Sequence, residues 1–207
     1  MAVMPMFPLG ATLLPGAVLP LQVFEPRYVQ MVQEILADDV NPPEFGVVMI
    51  ERGHEVGGGD TRSTIGTVAR ILDMQVSPDG RYALAALGTE RCRVNAWLPD
   101  DPYPVADVDI WPDEGDPSDV SQSDIDLLHQ RVRAINDTVR SLGDVAPPPD
   151  TEISPDPHMA MYHLGSLSPL GTADRQRILA APTLLERVAT LSAALDDAEA
   201  VLKFRRS

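Results

Sequence analysis

Glu25, Arg27 and Tyr28 stand at the end of an opening stretch that carries no charged side chain before them. A carboxylate, a guanidinium and a phenol at that spacing contain no activated nucleophile. Their chemistry is hydrogen bonding and cation–aromatic contact, the means by which Arg and Tyr anchor interfaces. The plainer reading is a helix start in which Arg27 pairs with a carboxylate and Tyr28 covers the core edge. The functional reading is a polar rim beside a groove, to which Arg52 and His54 are added as the remaining candidate rim residues.

His54, Glu55 and Asp60 could imitate a metal site, but the glycine-rich stretch that holds them cannot preorganise ligands, and an exposed loop is expected. His158 and His163 lie five apart, so on a helix they occupy different faces and miss the i, i+4 geometry of zinc ligation. His129 has no partner visible in the sequence. The acidic run from Asp113 to Asp126 lacks the ordered ligand spacing of a calcium loop and reads as a solvated linker. Cys92, the only cysteine, is expected to be a buried structural thiol between outward-facing Arg91 and Arg93. It excludes an internal disulfide and any cysteine-cluster zinc site. Neither a metal nor a cofactor is expected. A single lysine, Lys203, leaves no place for G-x-x-x-x-G-K-[ST] or for a Ser-Lys dyad, so the chain is expected not to be an enzyme.

The elements that must position these residues follow from pattern. Pro5, Pro8, Pro15 and Pro20 exclude a long helix from the opening, which predicts short extended pieces with a turn at Pro15-Gly16. Pro26 then starts a helix over 26–37, with Tyr28, Met31, Val32, Ile35 and Leu36 at helical spacing. Phe45–Ile50 reads as a buried strand. Ile65–Val76 and Arg81–Val94 form long strands, apolar on both faces and joined by the turn Ser77-Pro78-Asp79-Gly80. Gly88 suggests a bulge or close backbone approach. Val94–Leu98 and Val105–Trp111 complete about six strands of a small barrel-like sheet. Beyond an acidic, proline-rich connector, helices follow. One carries Ile125, Leu128, Val132, Ile135, Val139 and Leu142 and ends at Gly143. Two shorter ones are expected over 156–164 (anchored by Met159, Tyr162 and Leu167) and from Thr172. A final one carries Leu184, Val188, Leu191, Leu195, Ala198 and Leu202. The division expected is a β-rich domain over 1–115 and a helical bundle over 116–207.

Charge narrows the partners. Residues 1–118 hold 18 acidic and 7 basic side chains and residues 119–207 hold 13 and 9, nets of −11 and −4. Such a surface repels phosphate backbones and anionic lipid, so neither nucleic acid nor membrane is expected as a partner. The first basic residue is Arg27 and prolines break the apolar opening, so no export signal is expected and a cytoplasmic setting follows.

The opening F-P-L, L-P-G, L-P-L-x-V-F-E-x-R-Y resembles the start of the Lon N-terminal domain family, the substrate-binding module of ATP-dependent Lon proteases. Two further blocks fall in the family's order: Ile65-Gly66-Thr67-Val68-Ala69-Arg70-Ile71, and Leu87-Gly88-Thr89-Glu90-Arg91-Cys92-Arg93-Val94. Leu170–Leu179 and Leu184–Val188 resemble its helical bundle more loosely. The resemblance implies an α+β fold, with a PUA-like, β-barrel-type N-terminal subdomain followed by a C-terminal α-helical bundle. It also implies a stand-alone, non-catalytic module that binds unfolded or exposed apolar polypeptide, with a protease or other protein as a further partner; apart from the resemblance, a monomer or weak dimer is expected. Met4, Met6, Leu13 and Leu14, in proline-rich segments, are expected to be exposed for that purpose. An adaptor that docks one specific folded partner is the alternative. RNA binding by a PUA-like sheet is a third reading, which the charge opposes.

Overall fold

The computed structural model describes residues 2–53 and 61–206. The chain divides into two compact units, Met1–Pro112 and Asp113–Ser207.

The first unit is a six-stranded sheet with one helix. Its elements are β1 (Ala2–Leu9), β2 (Val18–Val23), α1 (Pro26–Ala37), β3 (Glu44–Arg52), β4 (Thr61–Val76), β5 (Tyr82–Trp97) and β6 (Val105–Ile110). The strand order β2-β5-β4-β3-β1-β6, with β6 also paired to β5, closes five of the strands into a ring. One edge of the long β5 serves two partners in succession. Its first half, Tyr82–Leu87, pairs with β2, and Cys92–Trp97 pairs with β6. Since β6 takes only Ala2–Pro5 of β1, the ring is zipped at one end. At the other end Met6–Leu9 of β1 pairs with β3.

The expected extended opening is present. Pro15 and Gly16 sit at the centre of a turn closed by the Ala17 N–H donating to Leu14 O at 3.1 Å, and the φ of 80° at Gly16 explains the glycine. Gly88 combines both features its position suggested. The β4–β5 register shifts between Thr67 and Ala69, and a Cβ on Gly88 would lie 2.7 Å from Leu14 O. Val94–Leu98 is no separate strand, since β5 runs unbroken to Trp97.

Among the described residues of this unit, two apolar clusters stand out. One joins α1, through Tyr28, Met31, Val32 and Ile35, to Phe7, Leu21, Val23, Phe45 and Leu84. The other, Met6, Val48, Val94, Ala106 and Val108, lies beneath the zipped end. Met6, Leu13 and Leu14 are therefore core residues and Met4 is half-buried, against the expected exposure. Their strand and turn backbone turns them inward. Conversely, the distal half of β4 is not covered on both faces, for Leu72, Met74 and Val76 are exposed.

The second unit comprises α2 (Gln122–Ser141), α3 (Pro157–Leu167), α4 (Thr172–Ala180) and α5 (Leu184–Arg205). Ser121 and Asp124 form a capping box at the start of α2. At its end the Gly143 N–H reaches Arg140 O and the Asp144 N–H reaches Val139 O, with Gly143 at φ 85°. This is the paired arrangement that glycine permits after a helix. The α2 stripe is buried from Ile125 to Val139. On α3 the buried residues are Ala160, Met161, Tyr162, Leu164 and Gly165, while the expected anchors Met159 and Leu167 are half-buried. None of the helices among the described residues is long and apolar enough to cross a membrane.

Candidate functional site

A cleft of about 180 Å³ opens in the first unit, lined by Phe7 and Leu9 of β1, Pro20–Val23 of β2, Phe24, and Glu25 and Tyr28 at the start of α1. Its walls are fixed by local chemistry. Pro26 occupies the first turn of α1 without loss, because its missing N–H would have had no partner in the helix. The N-cap residue Glu25 makes no side-chain cap; its carboxylate instead receives Arg27 Nε at 3.2 Å and the adjacent guanidinium nitrogen at 3.1 Å. That pairing holds the Arg27 guanidinium 4.6 Å from the centroid of the Tyr28 ring. Tyr28 in turn stacks on Phe7, with centroids 4.1 Å apart and planes at 15°, and Phe7 tilts against Phe45 at 6.1 Å. The floor is thus a stacked aromatic pair clamped by an ion pair. Phe24, 55% exposed, forms a lip.

Arg27 and Tyr28 come together, but only Tyr28 lines the cleft; Arg27 reaches it through its contacts with Glu25 and the Tyr28 ring. Tyr28 is only 3% exposed and contributes through its ring as floor and core rather than as an outer rim. Arg52 is exposed at the end of β3, on another element. His54, with Glu55 and Asp60, lies outside the described residues.

Cys92 is fully buried, and burial pushes its thiol up to about 12. Its neighbours differ from the expected outward pair. Arg93 is exposed, but Arg91 is 3% exposed, and both guanidiniums lie over Trp111, at 4.1 Å for Arg91 and 4.2 Å for Arg93. Alternation along β5 is broken there by the register shift that begins at Gly88. In a second cleft, between the start of β1 and α1, the Tyr103 hydroxyl donates to Glu34. Burial, then this carboxylate, raises the phenol to about 12, and the hydroxyl lowers the Glu34 carboxyl. Among the described residues no group of three or more His, Cys, Asp and Glu side chains could hold a metal ion.

Sequence reasoning missed a polar cluster in the helical unit. Asp113, the first residue of the acidic run, is no solvated linker residue. Its carboxylate receives two nitrogens of the fully buried Arg187, at 2.6 and 2.5 Å, and contacts His158 Nδ1. Arg187 also donates to Ile178 O and Ala181 O and lies 4.2 Å from the Tyr162 ring centroid. These partners, a carboxylate, two backbone carbonyls and a ring face, satisfy the guanidinium in the manner of a structural ion pair. A charged residue on the buried face of α5 was the one available signal.

A family model described as ATP-dependent protease La (LON) substrate-binding domain matches residues 3–197. Lon protease of Cytophaga hutchinsonii is 26% identical over 212 residues, which cover 99% of this chain and 25% of that protein. Lon protease 2 of Myxococcus xanthus is 33% identical over 114 residues, 54% of this chain and 13% of its own length. The chain spans about a quarter, or less, of the length of these curated relatives. Among solved structures, the Lon N-terminal domain protein from Xanthomonas campestris superposes with a TM-score of 0.67 at 27% identity, covering 93% of this chain and 98% of that one. The N-terminal domain of Mycobacterium avium complex Lon protease gives 0.66 at 17% identity, covering 95% and 99%, a likeness of fold alone.

Proposed function

Because the chain belongs to the ATP-dependent protease La (LON) substrate-binding domain family, we propose that it recognises protein substrates through exposed apolar stretches of unfolded polypeptide. The cleft between β1, β2 and α1 carries this reading. It is apolar and concave, opens beside an exposed phenylalanine, and holds no nucleophile with an orienting base. In this reading Tyr28 forms the floor and Arg27 the flank, and Arg52 and His54 are further polar contacts for a bound chain. The setting is the cytoplasm, where unfolded chains are handed on to a proteolytic machine. Net charge of −15 suits neutral and basic chains and opposes RNA.

Equilibrium titration of fluorescently labelled, permanently unfolded polypeptides tests the proposal. Saturable binding at or below the order of tens of micromolar is expected. Absence of saturation, with one stoichiometric folded partner captured instead, would replace it with the adaptor reading.

A further inference from the structure

Resting on the polypeptide-binding reading above, we propose that the cleft seats one apolar side chain of an extended, non-acidic segment, whose backbone lies along the free edge of β2.

Backbone parity identifies the occupant. Among the described residues β2 pairs only with β5, in the register Leu19↔Ala86, Pro20↔Ala85, Leu21↔Leu84. Proline cannot donate, so Pro20↔Ala85 is the pair that exchanges no hydrogen bonds. The polar groups of Leu19, Leu21 and Val23 therefore face β5, and those of Val18, Pro20 and Gln22 face the opposite, free edge. Across the cleft, the Met6 N–H donates to Pro104 O at 2.8 Å, away from β3. Alternation turns the carbonyl of Pro8 to that same side. Hence β2 presents carbonyls at Val18, Pro20 and Gln22, and N–H groups at Val18 and Gln22, in the two-residue period of a strand. A partner that matches this spacing is an extended peptide. Pro20 interrupts the donors, which blunts indiscriminate pairing with sheet edges and leaves recognition dependent on the side chain.

The side chain is specified by the walls. Phe7, Leu21, Val23 and Tyr28 are buried and apolar, Phe24 closes one side, and about 180 Å³ suits one leucine, methionine or phenylalanine. Charge selects what flanks it. The excess of acidic over basic residues in 1–118, together with edge carbonyls that outnumber edge N–H groups, repels acidic flanks and favours lysine or arginine.

The test uses the full chain and a labelled peptide with one central leucine between lysine- and serine-containing flanks. Wild type should bind it saturably, and replacing the lysines by glutamates should weaken binding about tenfold. N-methylation of every second backbone amide should abolish binding in one phase and spare it in the other. Phe24→Asp, at an exposed position, should weaken binding about tenfold, and Gln22→Pro, which removes an edge N–H, by a similar factor. Phe204→Ala, on α5 in the other unit, should leave it unchanged. The N-methyl series needs no variant and stands even if Gln22→Pro fails to fold. Binding indifferent to Phe24→Asp and to the phase of N-methylation would overturn the cleft assignment while leaving polypeptide recognition intact. Failure of both this peptide and the unfolded polypeptides to bind would overturn both.

Discussion

Arg187 is completely buried and meets Asp113 through a two-nitrogen, two-oxygen contact at 2.5–2.6 Å, tying the start of the helical unit to the face of its last helix. Removing one member leaves an uncompensated charge in the interior. Asp113→Ala should therefore lower stability by about 3–5 kcal/mol. Urea denaturation checks this, and the double variant Asp113→Ala/Arg187→Met should lose less than the two single losses added together. A loss below about 1 kcal/mol for Asp113→Ala would show the pair to be dispensable.

Gly66 and Gly88 are required by close backbone approach. A Cβ on Gly66 would lie 2.3 Å from Val47 O, and one on Gly88 2.7 Å from Leu14 O. Backbone cannot swing aside as a side chain does. Gly66→Ala and Gly88→Ala should each cost about 1–3 kcal/mol in thermal or urea unfolding. Unchanged melting would contradict the strand register.

His163 Nδ1 accepts a hydrogen bond from the Ser154 N–H at 3.1 Å, and burial lowers its pKa from 6.5. The folded chain thus holds this imidazole neutral at pH values where the unfolded chain takes up a proton. Its contribution to stability is full above about pH 6.5 and is lost as the pH falls through the folded pKa. Histidine NMR titration should place His163 below a model-peptide histidine, and His163→Gln should flatten the acid limb of the stability profile. A value at or above 6.5 would contradict the burial.

Cys92, buried and held as the thiol, should resist alkylation in the native protein and react only as the chain unfolds. Mass spectrometry after timed exposure to iodoacetamide reads this directly. Stoichiometric labelling under native conditions would contradict it.

The opening was legible because its signals are local. Pro15-Gly16 imposes a turn, Pro26 starts α1, and 3.6-residue spacing of Tyr28, Met31, Val32 and Ile35 marks the face that packs. Gly88 was legible as an irregularity in a strand. The burial of Met6, Leu13 and Leu14 was not, since apolar residues among prolines look alike whether a turn folds them inward or leaves them out. The Asp113–Arg187 contact was hidden for a different reason. Its members are 74 positions apart, and local pattern assigns a lone aspartate in an acidic run to solvent. The cleft was half legible. Arg27 and Tyr28 were singled out, but Phe7 and the β2 wall join them only once strand order is known.

Fluorescence anisotropy of one labelled, reduced and carboxymethylated protein, titrated with this chain and competed by its own native, unlabelled form, tests the central claim most directly. Saturable binding of the unfolded form, undisturbed by excess of the folded one, is predicted. A flat titration, or equal competition by the folded protein, would contradict recognition of exposed apolar polypeptide.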